Sequence, residues 1–191
     1  ARSDNAIALA QALYAQELCG RLGRTVTFDR EGTLAKLLAC RNSDGGFAWF
    51  KGMPSSPMVT AVVLAALKGE HLIDEASAVK YIDERFFNKD GKRWWFCGLS
   101  LNQYLYVRSL FPEVGFSQKP DKDFRKEMNE YLVPKKERGL NGWIFGKARR
   151  LLTLENLLES EGGTELAGKL GIRFGARRKM EKSLAADVES L

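Results

Sequence analysis

The segment Asn42-Ser-Asp-Gly-Gly-Phe-Ala-Trp-Phe50 returns 46 residues later as Asn88-Lys-Asp-Gly-Lys-Arg-Trp-Trp-Phe96. Asn, Asp, Gly, Trp and Phe stand at the same offsets in both copies. A chain that repeats a turn also repeats the elements flanking it, and a period of roughly 40–50 residues accommodates one pair of helices. A degraded third copy, Asn141-Gly142-Trp143-Ile144-Phe145, puts Trp143 48 residues after Trp95. Gly45 and Gly46 suit a tight reversal, because glycine enters the positive-φ region without steric cost, and Asp44 can accept from amides of that turn. Phe47, Trp49 and Phe50 follow immediately, and large aromatic rings gain most where they leave water. The loop is therefore expected to fold back into a core. Trp49 and Trp95 are expected to be mostly buried in equivalent places, each wedging its hairpin against a neighbour with the indole N–H on a carbonyl of the Asp-Gly turn. On that reading Trp49→Ala costs about 3–5 kcal/mol.

The flanking sequence is helical almost throughout. Asp4 is placed to cap a helix reaching Leu22, with Ile7, Ala10, Tyr14, Leu18 and Leu22 in one stripe. Asp29 can cap a second helix, which carries Leu34, Leu37, Leu38 and Arg41 at i, i+3, i+4 and i+7. Ser56 and Pro57 open a third, since proline lacks only an amide that the first turn leaves unused. Its run Met58–Leu67 is apolar nearly all round, as in a helix buried on most sides. From Asp74 a contrasting helix shows a narrow stripe of Val79, Ile82 and Phe86, with Lys80, Asp83 and Glu84 toward water. Leu99–Phe111 is again largely apolar and stops at Pro112. After a loop at Phe116–Pro120, Asp121 caps a short amphipathic helix to Leu132, and Pro134–Gly142 reads as a charged loop. A long helix from about Trp143 to Ser160 ends at Gly162-Gly163, and helical patterns follow at 164–170 and 175–191. Met180, Leu184, Val188 and Leu191 form a last stripe without a closing Gly, Asn or Pro. The 191 residues are thus expected to be one helical domain, cut at its C-terminus within a continuing array. Only Thr25-Val-Thr-Phe28 looks strand-like, so an all-α fold is expected.

The run Leu37-Leu-Ala-Cys-Arg-Asn-Ser-Asp-Gly-Gly-Phe-Ala-Trp-Phe-Lys-Gly52, followed by the apolar helix with Thr60, resembles the thioester-domain region of α2-macroglobulin-like proteins. The likeness is to the large bacterial members of the Bacteroidetes type, and Asn102–Phe111 is similar to their next inner helix. It covers residues 5–111 well and the rest loosely. Asp-Gly-Gly-Phe alone is less particular, since terpenoid cyclases and prenyltransferase β-subunits share related loops. The resemblance implies an α/α toroid, with helical hairpins in inner and outer layers and an incomplete ring in a chain of this length. It also implies a secreted, periplasmic or cell-envelope protease inhibitor. In such a parent this domain would be a non-catalytic docking and packing surface, with other domains of the same chain and target proteases as partners. A HEAT-like α-solenoid scaffold has a compatible repeat length, and a toroid enzyme of isoprenoid chemistry is the remaining alternative.

The residues that would carry chemistry are sparse. A thioester needs Cys-Gly-Glu-Gln or Cys-Leu-Glu-Gln, whose thiol and amide condense into an acylating group. Cys19 is followed by Gly-Arg-Leu, Cys40 by Arg-Asn-Ser and Cys97 by Gly-Leu-Ser. Three cysteines without a CxxC spacing suggest neither a disulfide framework nor a zinc site. They read as small buried hydrophobes. His71 is the only histidine, and Glu70, Asp74 and Glu75 beside it read as loop and cap residues. Neither the Asp-rich acid of a cyclase nor the Asp, Cys and His of a prenyltransferase zinc site is evident. Asp44-Gly45-Gly46 lacks the Gly-x-x-x-x-Gly-Lys-Ser/Thr frame of a phosphate loop. The expectation is no enzyme, no metal and no cofactor. A net charge of +6 and pI near 9.3 permit an acidic partner without demanding one. Lys147, Arg149, Arg150, Arg173, Arg177, Arg178 and Lys179 lack interleaved aromatics and read as solvated faces, so no nucleic-acid partner is expected. Met58–Leu67 is half the ~20 residues of a membrane span, so no insertion is expected. Ala1-Arg-Ser-Asp4 does not resemble a signal peptide, and export would rest on a segment outside this sequence.

Overall fold

The computed structural model describes residues 4–87, 91, 98–132 and 144–174, with scattered positions between 181 and 189. Among them are eight α-helices and no strand, and the fold is all-α. The strand-like run Thr25–Phe28 is not a strand but part of the connection between the first two helices. The chain divides into two compact units, one built on Ala1–Phe86 and the other on Ser100–Leu191, with Phe87 and Gly91 belonging to the second.

The first unit holds α1 (Ala6–Arg21), α2 (Arg30–Leu38), α3 (Pro57–Ala66) and α4 (Glu75–Phe86). Helix α1 packs on α2 and α3, and α3 packs on α4. Side chains take up the unused first-turn amides as capping chemistry requires. Asp29 accepts from the Gly32 N–H at 2.9 Å, Ser56 from Val59 at 3.4 Å and Asp74 from Ser77 at 3.1 Å. The α1 cap falls one residue later than expected. Asn5, not Asp4, accepts from the Ala8 N–H at 2.8 Å, while Asp4 meets Lys36 Nζ at 3.3 Å. The buried face of α1 is Ala6, Leu9, Ala10 and Leu13, so of the expected stripe only Ala10 is buried. Tyr14, Leu18 and Leu22 lie exposed. Small Ala6 and Ala10 let α1 approach its neighbours closely, and this outweighs the larger side chains one turn on. Helix α3 is buried through Val59, Thr60, Ala61, Val63 and Leu64, as its apolar run predicts. In α4, Val79, Ile82 and Phe86 are buried and Lys80 is exposed, but Asp83 is also buried, against expectation. It follows Ile82 directly and so flanks the apolar stripe rather than opposing it.

The second unit holds α5 (Leu101–Leu110), α6 (Lys122–Leu132), α7 (Ile144–Glu159) and α8 (Gly163–Leu170). A capping box opens α5, in which Ser100 accepts from the Gln103 N–H and Gln103 accepts from the Ser100 N–H. Asp121 caps α6 through the Phe124 N–H at 2.7 Å, as expected. Helix α7 packs on α5 and α8. Asn156 of α7 donates to Ser109 Oγ of α5 at 3.1 Å. Phe87 is the hub of an aromatic cluster, with Tyr104, Phe116 and Phe124 edge-on at centroid distances of 5.6, 5.9 and 4.9 Å. Lys147 and Arg150, expected on a solvated face, are buried instead. Their aliphatic stems suit an apolar surround, and the Arg150 guanidinium stands 5.8 Å from the Tyr131 ring centre. Arg149 and Arg173 are exposed. The loop expected at Pro134–Gly142, the third aromatic copy up to Trp143, Arg177, Arg178 and Lys179, and the stripe Met180, Leu184, Val188 and Leu191 lie outside the described residues.

Candidate functional site

The Asn42–Phe50 loop leaves α2 and turns back on itself, with the Asn42 N–H donating to the Gly46 carbonyl at 2.9 Å and an isolated bridge joining Arg41 to Phe47. Asp44 Oδ1 accepts from the Gly46 N–H at 3.0 Å and from Ser55 Oγ at 2.7 Å. Asn42 Nδ2 donates to the Met53 carbonyl and to Ser55 Oγ, each at 2.9 Å. The Phe47 N–H donates to Thr60 Oγ1 at 2.8 Å, whose hydroxyl donates to the Ser56 carbonyl. Two further backbone bonds tie the loop in: Ala48 N–H to the Cys40 carbonyl at 2.8 Å, and Ala6 N–H of α1 to the Trp49 carbonyl at 2.9 Å.

Gly45 sits at φ +86°, where a Cβ would lie 2.4 Å from Ser77 Oγ and 2.8 Å from the Ser77 carbonyl oxygen of α4. A Cβ on Gly46 would meet the Tyr81 ring at 2.7 Å. Gly45 is required by contact and by conformation, and Gly46 by contact. One loop thus fastens all four helices of its unit. Every amide from Gly45 to Ala48 is already spent on a protein acceptor, which leaves none to cradle a phosphate.

Charges frame this brace. Arg41 meets Asp74 at 3.1 Å, and Arg85 lies 3.8 Å from Asp44 and 5.4 Å from the Tyr81 ring centre. The Ser77 amide, aided by Arg41, holds the Asp74 carboxyl below its usual range. Burial pushes the Tyr81 phenol up. Ser55, Tyr81 and Ser77 complete the brace without a sequence signal of their own, while Thr60 entered only through the family resemblance. The readable signal was Thr60, a hydroxyl inside an otherwise apolar run, which a buried helix carries only with a partner for it.

The aromatics divide. Phe47 is fully buried, but Trp49 is 37% exposed, Phe50 48% and Met53 44%. The expectation of a buried Trp49 wedge is overturned. Ala48 takes the inward position beside Phe47, and the loop turns outward after it. The result is an apolar rim of Trp49, Phe50 and Met53 held on a fixed base. In the second copy, Gly91 matches Gly45 in conformation at φ +74°. Its carbonyl accepts from the Asp121 N–H at 3.3 Å, and a Cβ would lie 2.0 Å from the Lys119 carbonyl oxygen. Asn88, Asp90, Trp95 and Phe96 lie outside the described residues, as does Cys97.

Of the remaining candidates, Cys40 is buried and donates to the Lys36 carbonyl at 3.5 Å. Burial raises its thiol pKa, so it holds its proton more firmly than a free cysteine. Cys19 is partly exposed on α1. His71 is exposed in a turn at φ +52°. Among the described residues no group of three or more His, Cys, Asp or Glu could hold a metal ion, and no helix is long and apolar enough to cross a membrane. The chain matches no protein-family model, curated protein or solved structure.

Proposed function

We propose that the chain is a non-catalytic docking domain of a protease inhibitor of the α2-macroglobulin type, acting in the periplasm or cell envelope. The observation that supports this best is the apolar rim of Trp49, Phe50 and Met53 on its braced loop. Large apolar side chains held outward by a rigid base lose little conformational entropy on association, which is how interface anchors work. Alternating buried and amphipathic helices, with the family-like Asp-Gly-Gly-Phe loop between them, support membership of an α/α toroid. The rim's partners would be other domains of the parent chain or the trapped protease. The test incubates the parent inhibitor with a protease and compares hydrolysis of a large protein with that of a small peptide substrate. Trapping suppresses the first and spares the second. A variant with Trp49→Ser, Phe50→Ser and Met53→Ser should lose the suppression while keeping its melting temperature. Equal suppression by the variant would remove the rim from the mechanism. Absence of suppression in the wild type, with partner binding retained, would favour a helical adaptor.

A further inference from the structure

Three basic residues near α1, α2 and α4 are paired: Arg21 meets Glu70 at 2.8 Å, Lys36 meets Asp4 and Arg41 meets Asp74. In the second unit, cations gather in one concavity. An open groove of about 590 Å³ runs between α6 and the segment leaving α8. Lys122, Arg125 and Lys126 line one side and Arg173 the other, with Glu130 as the lone carboxylate among the described residues. None of the four cations makes an ion pair or a side-chain hydrogen bond among the described residues, and all are exposed. Like charges gathered without counter-charges in a concavity repel one another and focus a positive potential into it. That arrangement costs stability unless an anion occupies it.

The groove is also built. Asn129 Nδ2 donates to the Gly171 carbonyl at 2.6 Å and to the Arg125 carbonyl at 2.8 Å, and Asn129 Oδ1 accepts from the Arg173 N–H at 3.2 Å. One amide side chain therefore sets the distance between the two basic walls. Gly171 at φ +77° leaves room for the Arg125 stem, which a Cβ there would meet at 3.0 Å. The volume lies within the roughly 300–1,000 Å³ of small-ligand sites.

We propose that this groove binds a small polyanion carrying two or more closely spaced phosphate groups. The walls offer almost only donors, and phosphate oxygens ask only for donors. A peptide would bring its own N–H groups, and Asn129 is already spent. Among the described residues no aromatic side chain lines the groove to stack a nucleobase. The inference is independent of the protease-inhibitor reading.

Calorimetric titration of the chain with inorganic tripolyphosphate at low salt tests it, with hexaglutamate as the competing probe. Saturable one-to-one binding of tripolyphosphate is expected, weakening as salt rises. The variant Arg125→Ala/Lys126→Ala/Arg173→Ala should bind at least ~10-fold more weakly, since several charge-assisted bonds are lost. Lys122→Glu should act in the same direction, and Lys51→Ala, an exposed cation elsewhere, should have no effect. Thermal melts confirm folding, and Lys122→Glu serves as the test should the triple variant not fold. No saturable binding, undiminished binding by the variants, or tighter binding of hexaglutamate would each overturn the proposal.

Discussion

Helices α3 and α5 are similar designs 44 residues apart, with opposite answers at one fully buried position. Ser56 and Ser100 cap them, and each runs for ten residues. Thr60 matches Tyr104, Val63 matches Val107 and Leu67 matches Phe111, and all six are buried. Both helices end in the same turn, with Glu70 N–H to the Leu67 carbonyl in one and Val114 N–H to the Phe111 carbonyl in the other. At another matched position α3 has Leu64 and α5 has Arg108, each fully buried. The guanidinium is accommodated because it donates to the Phe111 and Val114 carbonyls and lies 5.4 Å from the Phe116 ring centre. The comparison teaches that a repeat conserves burial and backbone while leaving chemistry free, provided the local turn supplies acceptors.

Exchanging the two residues is the harshest way to break that comparison. Leu64→Arg puts a larger, charged side chain into a leucine-sized space and should cost about 4 kcal/mol or more, read as loss of cooperative urea unfolding. The reverse change, Arg108→Leu, strips two buried carbonyls of a donor and should cost about 2–4 kcal/mol. If Leu64→Arg is tolerated, the Leu67 turn is as good an acceptor as its counterpart and the difference between the units vanishes.

The paired glycines sharpen the comparison next. Gly45→Ala and Gly91→Ala each force a Cβ into positive φ and into a neighbour, at about 2–4 kcal/mol apiece. Gly91→Ala should lower the denaturation midpoint more, because its Cβ would press closer on the Lys119 carbonyl oxygen than that of Gly45 on the Ser77 carbonyl oxygen. A smaller effect is expected from Thr60→Val, which keeps shape but leaves the buried Phe47 N–H without its acceptor, at about 1–3 kcal/mol by thermal melt. The loss should fall on the first unit's loop, where Thr60 serves the Phe47 amide. The smallest effect belongs to Trp49→Ala, within about 0.5–1 kcal/mol for an exposed side chain, with partner binding reduced in a pull-down. A large drop in melting temperature would restore the wedge.

The sequence carried the helices and most of their caps. Asp29, Ser56, Asp74 and Asp121 all cap as their positions suggest, because a short polar side chain before an apolar period satisfies amides that nothing else reaches. The fastening role of the Asp-Gly-Gly loop was legible too, but not which of its aromatics goes inward. That choice between Phe47 and Trp49 is set by where the chain heads after Ala48, a tertiary property. Asp4 and Asn5 are chemically equivalent caps, so only the first turn's geometry separates them. Asp83, Lys147 and Arg150 were misplaced because residue type predicts exposure only on average. A long stem or a neighbouring apolar residue carries a charged group inside when contacts wait there.

The bond from the Ala6 amide to the Trp49 carbonyl spans 43 positions of the chain. The first amides of a helix ordinarily exchange with solvent by fraying, without disturbing anything else. Here the first residue of α1 shares its proton's fate with the loop, so its exposure requires release of the brace itself. Deuterium uptake at Ala6 therefore gauges opening of the whole four-helix unit, and the end of the chain nearest the start becomes a reporter on its middle.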